Sequence, residues 1–276
     1  MNASGTSDDL SRTAEHIEAA EWRAALDHPP HAPGAPAVVL LAADGAVAGS
    51  VPAIDVLMLN RAVGLGIDAP ATPSDVDRLT RAFTDAGARR WMIQVAPAAR
   101  PAALVDWLLE RGYYHHNDWI NLARPAAAPV LEAATTFSVR QIGRGSAARF
   151  ARVVMAGFEW PAALEGWVAR VVEHPGMRVY MAFDGTTPVA TGALSVHGRS
   201  GWLSYAATDP RYRRRGAQNA LLSLRLREAQ RLGCTTVFVE TGDDTPEKPN
   251  PSYRNVRRHG FEVLYRRANY VKVLDA

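Results

Sequence analysis

From residue 137 onward the hydrophobic pattern switches repeatedly between a period of two and a period of about 3.6. FSVRQI, RVYMAFDG, PVATGALSVHG, GWLSYAAT and TTVFVET read as strands, because apolar and β-branched residues alternate or run together between turn residues. RGSAARFARVVMAGF and AALEGWVARVV read as amphipathic helices. AQNALLSLRLREAQRLG is a longer helix, with Leu221, Leu222, Leu224, Ala229 and Leu232 at roughly helical spacing. SYRNVRRHG is a short helix and FEVLYRRANYVKV a final long strand or strand pair. Asp184-Gly185, between two strands, supplies hairpin turn chemistry.

The first half repeats the later part of that series. VPAIDVLMLN is strand-like, and PSDVDRLTRAFTDAG is a helix with Pro73 near its start and Asp75 in its first turn. RWMIQVA is a strand, AALVDWLLERG a helix and YYHHNDWINLA a strand. Gly87 precedes Gly112-Tyr113 by 25 residues, and Gly233 precedes Gly260-Phe261 by 27. A duplicated fold accounts for both series. Pro125 and Pro129, with alanines between them, mark an extended, weakly structured connector. The pattern predicts a partial copy over 1–123, a connector over 124–136 and a full unit over 137–276. The fold class is α/β (α+β), a mixed central sheet with flanking helices in two tandem copies.

Composition narrows the function classes. The 276 residues are 47% hydrophobic and 21% charged, as in a soluble globular chain of one large or two modest domains. A net charge of +3 is too small for a wholesale nucleic-acid coat, so anion binding is expected to be local. The first 27 residues mix both charges without an apolar core, unlike a secretory signal. No apolar run reaches the roughly 18 residues of a membrane span. A single cysteine, Cys234, opens an apolar strand and reads as a buried structural thiol. Together these features predict a cytoplasmic soluble protein. His115 and His116 stand beside Asp118, but neighbouring strand residues face opposite ways, and no metal is assigned.

The sharpest local feature is DPRYRRRGAQNALLSLRLREA, residues 209–229, which sets Arg211, Arg213, Arg214 and Arg215 between a strand and a helix start. The first backbone N–H groups of a helix lack intrahelical partners, and its dipole favours negative charge there. A glycine at the turn lets a ligand approach the backbone, and guanidiniums add charge-assisted hydrogen bonds. Strand, arginine-glycine turn, helix is therefore a recipe for phosphate. A water-satisfied basic loop is the alternative.

TDPRYRRRGAQNALL resembles the coenzyme A motif of the GNAT superfamily of acyl-CoA-dependent N-acyltransferases, in which Gln or Arg is followed after two residues by Gly and, one further on, by Gly or Ala. Pro210, Tyr212, Arg213 and Gly216 fit, while Gln218 stands where the family has a small residue. PSYRNVRRHGF is similar to the family's second landmark, a short helix ending in Gly-Phe. The resemblance covers the second half of the chain, and the first half looks like a degenerate partial copy, as in tandem members. RAVGLG, residues 61–66, fits the same spacing, but Pro70 and Pro73 separate it from a helix start, so no coenzyme is expected there.

The resemblance implies acetyl transfer from acetyl-CoA to a primary amine by direct attack in a ternary complex. It carries Ala206, Ala207 and Thr208 over to the pantetheine arm. Arg213, Arg214, Arg215, Gly216, Ala217, Gln218 and Asn219 fall to the phosphates, with Ser252 and Asn255 on the short helix as further coenzyme contacts or as helix-capping groups. Glu240, at the end of TTVFVET, is the candidate base, with an exposed strand-end carboxylate as the alternative. Glu159 and Trp160, in GFEWP, are candidates for the acceptor pocket. The family's general-acid tyrosine falls on Val256 here. Tyr253, Tyr265 and Tyr270 lie nearby, and Tyr265 is the candidate acid. The missing tyrosine keeps open a non-catalytic acyl-CoA-binding regulatory module. A nucleic-acid binder lacks a recognition helix and interleaved aromatics. Acceptors of the small-amine or peptide class stay open, and the first half either completes the acceptor pocket, stiffens the fold or mediates a homodimer.

Overall fold

The computed structural model describes residues 3–27, 35–43 and 45–274. In chain order these residues form α1 (Ala3–Asp27), β1 (Val39–Leu41), β2 (Val47–Ser50), β3 (Arg61–Val63), α2 (Pro73–Asp85), β4 (Arg90–Val95), α3 (Leu104–Glu110) and β5 (Tyr114–Pro125). Then follow β6 (Ser138–Ile142), α4 (Ala147–Phe158), α5 (Glu165–Ala169), β7 (Met177–Asp184), β8 (Thr187–His197), β9 (Ser200–Thr208), α6 (Ala217–Arg231), β10 (Thr236–Gly242), α7 (Pro251–Arg258) and β11 (Glu262–Val273). They pack into two compact units. The first holds α1, residues 36–43, 45–121 and 264–274; the second holds residues 122–263.

In the second unit β6, β7, β8 and β9 pair antiparallel in succession, and β9 pairs parallel with β10. The β7–β8 hairpin turns at Asp184-Gly185, with Gly185 in the left-handed region (φ +59°). α4 and α6 pack on β8 and β9. The alternation read from the sequence buries Val179, Met181, Ala193, Leu194, Val237 and Phe238, while Phe150, Val154, Leu222 and Leu226 come from the helices. Cys234 is buried as expected, and burial pushes its thiol pKa up.

In the first unit β1, β2 and β3 are antiparallel neighbours and β3 pairs parallel with β4. The order β1–β2–β3–α2–β4–α3–β5 thus repeats β7–β8–β9–α6–β10–α7–β11, with the same sequence of pairing senses in the four-strand blocks. Its core centres on Trp91, which stacks on Phe83 at 5.4 Å and donates through Nε1 to the Tyr113 hydroxyl at 2.7 Å.

Four features depart from the sequence reading. VPAIDVLMLN is a turn and a short 3-10 helix, and the strand starts only at Arg61. The connector is a strap held in the second unit: Arg124 donates to the carbonyls of Ala128 and Pro129, Gln230 to Ala126, and Ser223 to Leu131. The last strand, expected in the second half, pairs antiparallel with β4 from Ala268 to Val273 and packs in the first unit. Meanwhile β10 takes β5 as its second neighbour, residues 122–125 of which belong to the second unit.

The fourth is α1, a helix of 25 residues that the pattern gave no reason to expect. Its inward positions include Ala14, Ile17, Trp22 and Leu26, but also Glu15 and Glu18, only 1% and 3% exposed. Glu18 accepts from Arg61 Nη1 at 2.7 Å and from Arg267 Nη2, and Glu15 accepts from Arg267 Nη1 at 3.3 Å. Arg61 also lies over the rings of Trp22 and Trp119. Carboxylates on the buried face erased the apolar stripe that would have announced the helix.

Candidate functional site

The site grows from the way β9 leaves β10. Their parallel pairing runs from Ser200↔Thr236 to Leu203↔Val239 and ends there, although both strands continue. On its other edge β9 keeps its antiparallel partner, with one irregularity. Ala193 faces Ser204 and Thr191 faces Ala207, so Tyr205 and Ala206 share Gly192 as their opposite residue. This is a β-bulge, and Tyr205 takes the left-handed conformation it requires (φ +50°).

Hydrogen bonds fix the orientation of the bulge. The Ser204 carbonyl accepts from Arg225 Nη1 at 3.3 Å, and the Tyr205 carbonyl accepts from Thr191 Oγ1 at 2.8 Å. The Tyr205 carbonyl therefore turns toward β8, and the Ser204 carbonyl turns to Arg225 of α6, which also binds the Ala193 carbonyl of β8. In a trans peptide the N–H points opposite to the preceding C=O. The amides of Tyr205 and Ala206 consequently face the other edge, where β10 has parted. Two successive N–H groups directed into one gap form a concave donor pair suited to an anionic oxygen.

At the end of β9 the chain enters the arginine loop. Asp209 caps its short 3-10 turn and binds Arg211 twice, Nε at 3.1 Å and Nη2 at 2.7 Å; these bonds hold its carboxyl below the usual range. Arg213 Nη2 donates to the Gly157 carbonyl at 3.1 Å. Arg215 pairs with Asp184 at 3.1 Å and lies 4.4 Å over Phe137. Arg214 and Gly216 are both left-handed, at φ +64° and +83°, and Gly216 directly precedes α6. No acidic residue occupies the first turn of α6. The amides of Ala217, Gln218 and Asn219 thus open the helix that follows directly on Arg213, Arg214 and Arg215.

Gln218, the departure from the family pattern, has a different job. Its Nε2 donates to the carbonyls of Ala207 at 2.7 Å and Thr191 at 3.1 Å, tying the helix start to β9. Its side-chain NH2 group serves the scaffold. The Asn219 side chain is likewise turned to α7, with Oδ1 3.4 Å from His259 Nε2. Burial and then Arg124 lower the His259 pKa to about 4, so this ring is neutral at physiological pH.

The loop after α4 comes to the same place. A Cβ on Gly157 would lie 2.8 Å from the Ala207 Cβ and 3.0 Å from the Thr208 nitrogen, so α4 presses on β9 through a residue that has to be glycine. Glu159 ends that helix in the left-handed region, exposed, and Trp160 stacks on Phe158 at 5.3 Å. Glu240 is half-buried and is the first β10 residue past the last β9 pair. Gly157 thus links the end of α4 to Ala207 and Thr208 and, through Arg213, to the arginine loop.

On α7, Asn250 is the cap that accepts from Ser252 N and Tyr253 N, a role the sequence reading missed. Ser252 is exposed, and Asn255 Oδ1 accepts from Arg258 at 3.0 Å. Tyr265 requires a correction. It packs in the first unit, is buried, and donates its hydroxyl to Glu15. Burial and the neighbouring Glu15 raise its pKa well above the ordinary phenol value, so its proton is committed and it is a poor general acid. Gly157, Gly192, Tyr205 and Arg225 were not singled out from the sequence. Gly192 carried the one usable signal, a glycine inside a strand pattern, which marks a bulge or a close approach.

The first unit offers an instructive contrast at RAVGLG. Gly64 and Gly66 are left-handed there too, but Arg100 N donates to the Gly66 carbonyl at 2.9 Å and Arg12 Nη1 to the Ile67 carbonyl at 2.6 Å. The following helix, α2, begins with its own anion. Asp75 accepts from Thr72 N at 2.6 Å and from Thr72 Oγ1 at 2.7 Å, and these bonds, with Arg78, outweigh burial to lower its pKa. The helix start that mirrors α6 is closed by a side-chain carboxylate.

Among the described residues no helix is long and apolar enough to cross a membrane. No curated protein matches the chain in sequence. The fold is similar to the GCN5-related N-acetyltransferase from Kribbella flavida, with a TM-score of 0.65, 17% identity and coverage of 94% of this chain and 95% of that one. A GCN5-related N-acetyltransferase from Sphaerobacter thermophilus aligns at a TM-score of 0.58 and 19% identity, over 72% of this chain and 66% of that one. A tandem GNAT protein from the clavulanic acid biosynthesis pathway aligns at 0.53 and 14%, over 74% and 70%. A family profile, described as Acetyltransferase (GNAT) family, matches residues 148–261, from α4 through the bulge and the arginine loop to the end of the short helix. That segment of the chain is similar to the acetyltransferase (GNAT) family.

Proposed function

We propose that the second unit is an acetyl-CoA-dependent N-acetyltransferase that transfers the acetyl group to a primary amine by direct attack in a ternary complex. The observation that carries this reading is the coincidence of two things at the end of β9. A gap opens between β9 and β10 beside the bulge, and an acid-free helix start follows directly on Arg213, Arg214 and Arg215. The helix start and arginines suit the pyrophosphate, the end of β9 at Ala206, Ala207 and Thr208 suits the pantetheine arm, and the gap suits the thioester.

In the reaction the neutral amine forms a C–N bond to the thioester carbon as the carbonyl electron pair moves onto oxygen. The amides of Tyr205 and Ala206 stabilise that oxygen. Its pair then returns, the C–S bond breaks, and coenzyme A leaves as a thiolate that takes its proton from solvent. An alkylammonium titrates near ~10.4, so a proton must leave the amine first. Glu240 receives it, directly or through water. Glu159 draws a cationic acceptor to the loop, and Trp160 supplies its apolar wall.

Incubation with acetyl-CoA and a panel of small amines and peptides, reading thiol release, tests the proposal. Amine-dependent release is the expected result; saturable coenzyme binding with no release for any amine would point to the non-catalytic acyl-CoA-binding reading, which Val256 and the commitment of Tyr265 favour. The base has its own test. Glu240→Gln is expected to lower turnover most at low pH, where the amine is protonated, and least at high pH, where it deprotonates unaided. An unaltered pH–rate profile removes Glu240 from the role.

A further inference from the structure

Arg225 lies two turns into α6, on the side away from the gap, and is only 2% exposed. Its guanidinium has no carboxylate partner among the described residues. It donates instead to three carbonyls: Leu221 at 3.1 Å through Nε, and Ala193 at 3.2 Å and Ser204 at 3.3 Å through Nη1. Ala193 and Ser204 face each other across β8 and β9 at the edge of the bulge. The charge sits where Gly192 makes room for it, since a Cβ there would stand 2.6 Å from Arg225 Cζ. Two titratable groups feel its charge: Tyr180, whose hydroxyl burial and then Glu228 push up to about 12, and His259, which burial and then Arg124 lower to about 4. Burial lowers the Arg225 pKa only to about 10, so it remains a cation at neutral pH.

An unpaired buried charge is expensive, and a neutral side chain would hold the helix on the sheet at less cost. The carbonyl it grips explains its presence. Ser204 C=O and Tyr205 N–H are the two ends of one peptide group, and a cation on the oxygen polarises the N–H at the other end. We propose that Arg225 is a positioning residue for acyl transfer, holding the bulge in shape and strengthening the Tyr205 N–H that meets the thioester oxygen. This rests on the functional reading above and adds a residue that does not touch substrate. It also pairs Arg225 with Gly192, because either one alone loses its purpose.

The test uses acetyl-CoA labelled with 13C at the thioester carbonyl, bound to the full chain and read by difference infrared spectroscopy. Stronger donors lower the carbonyl stretch, so Arg225→Lys and Arg225→Met are expected to return it toward its frequency in water. Turnover with an active amine is expected to fall about tenfold or more, in the range of a weakened oxyanion donor. The Kd for coenzyme A, which lacks the carbonyl, is expected to stay within about threefold, roughly 0.65 kcal/mol at 1.4 kcal/mol per tenfold. Gly192→Ala, which keeps the cation but displaces it, is expected to act in the same direction and carries the test if Arg225→Met does not fold. A wild-type protein that fails to bind acetyl-CoA overturns the functional reading and this one with it. Normal wild-type binding, with band and turnover unchanged in the folded variants, overturns the role of Arg225 alone.

Discussion

Arg267→Met is expected to destabilise the first unit by about 3–5 kcal/mol, the range for removing one partner of a buried ion pair. Arg267 is fully buried, and it binds Glu15 and Glu18 of α1 together. Burial opposes its charge, but the two carboxylates outweigh that and raise its pKa. Burial also works against Glu18, yet Arg267 and Arg61 hold its carboxyl below the usual range; Glu15 has less compensation, and burial raises it. In the wild type the two acids therefore have opposite linkage. The contribution of Glu18 is full above the ordinary glutamate pKa and is lost as pH falls through its lowered value. Glu15 is penalised above its raised value and relieved below it.

Without Arg267 both carboxyls shift upward. A group whose folded pKa is raised destabilises the protein above that pKa and ceases to do so as pH falls through it. The loss measured by urea unfolding should accordingly be largest at neutral pH and shrink on acidification toward pH ~5, which is near the glutamate reference value. A second variant separates charge from packing. Adding Glu15→Gln and Glu18→Gln to Arg267→Met should restore much of the loss at neutral pH, because no unpaired buried charge remains. A loss that is equal at both pH values, or untouched by the two glutamines, would mean that the cluster acts through shape alone.

That cluster also explains what the sequence hid. The strands and helices of the second unit were legible because their inward positions are almost all apolar; Val179, Met181, Leu194 and Phe238 advertise their faces. α1 hides because its inward carboxylates find cations that lie more than forty residues away in sequence, at Arg61 and Arg267. The exchange of closing strands was invisible for another reason. β5 and β11 have similar alternating patterns, and nothing local distinguishes pairing with β4 from pairing with β10. The strand-to-helix arginine loop was legible because it is local: strand end, turn residues and helix start follow one another within about ten residues, the scale on which turn chemistry operates. The bulge that turns the amides of Tyr205 and Ala206 depends on Thr191 and Arg225 from two other elements.

The two helix starts show why a spacing motif alone does not make a phosphate site. Arg61, Gly64 and Gly66 reproduce the spacing, and Gly64 and Gly66 even reproduce the left-handed backbone. What differs is the occupant of the helix terminus. At α2 the carboxylate of Asp75 supplies the negative charge that the dipole favours, whereas α6 begins with Ala217, Gln218 and Asn219 and has no acid in its first turn. The difference lies in a residue outside the motif.

Gly216→Ala is expected to weaken coenzyme A binding by about tenfold to a hundredfold, the equivalent of one or two hydrogen bonds to a charged group. At φ +83° an L-residue carries a backbone cost of about 1 kcal/mol. The steric conflict is larger, because the new Cβ would stand 2.5 Å from the Ala134 carbonyl oxygen and 3.3 Å from the Thr135 Cβ. That strand of backbone has little room to retreat: Thr135 Oγ1 donates to the Arg215 carbonyl at 3.0 Å, and Arg215 is itself anchored over Phe137. The loop must rotate instead, which redirects the amides that open α6. Gly185→Ala is the matched control, since Gly185 is also left-handed (φ +59°) but has nothing within 4 Å of an added Cβ. It should lose stability without losing affinity. Calorimetric titration with coenzyme A, alongside a thermal melt of each variant, distinguishes the two; equal affinity in both would mean that the diphosphate is gripped somewhere other than the start of α6.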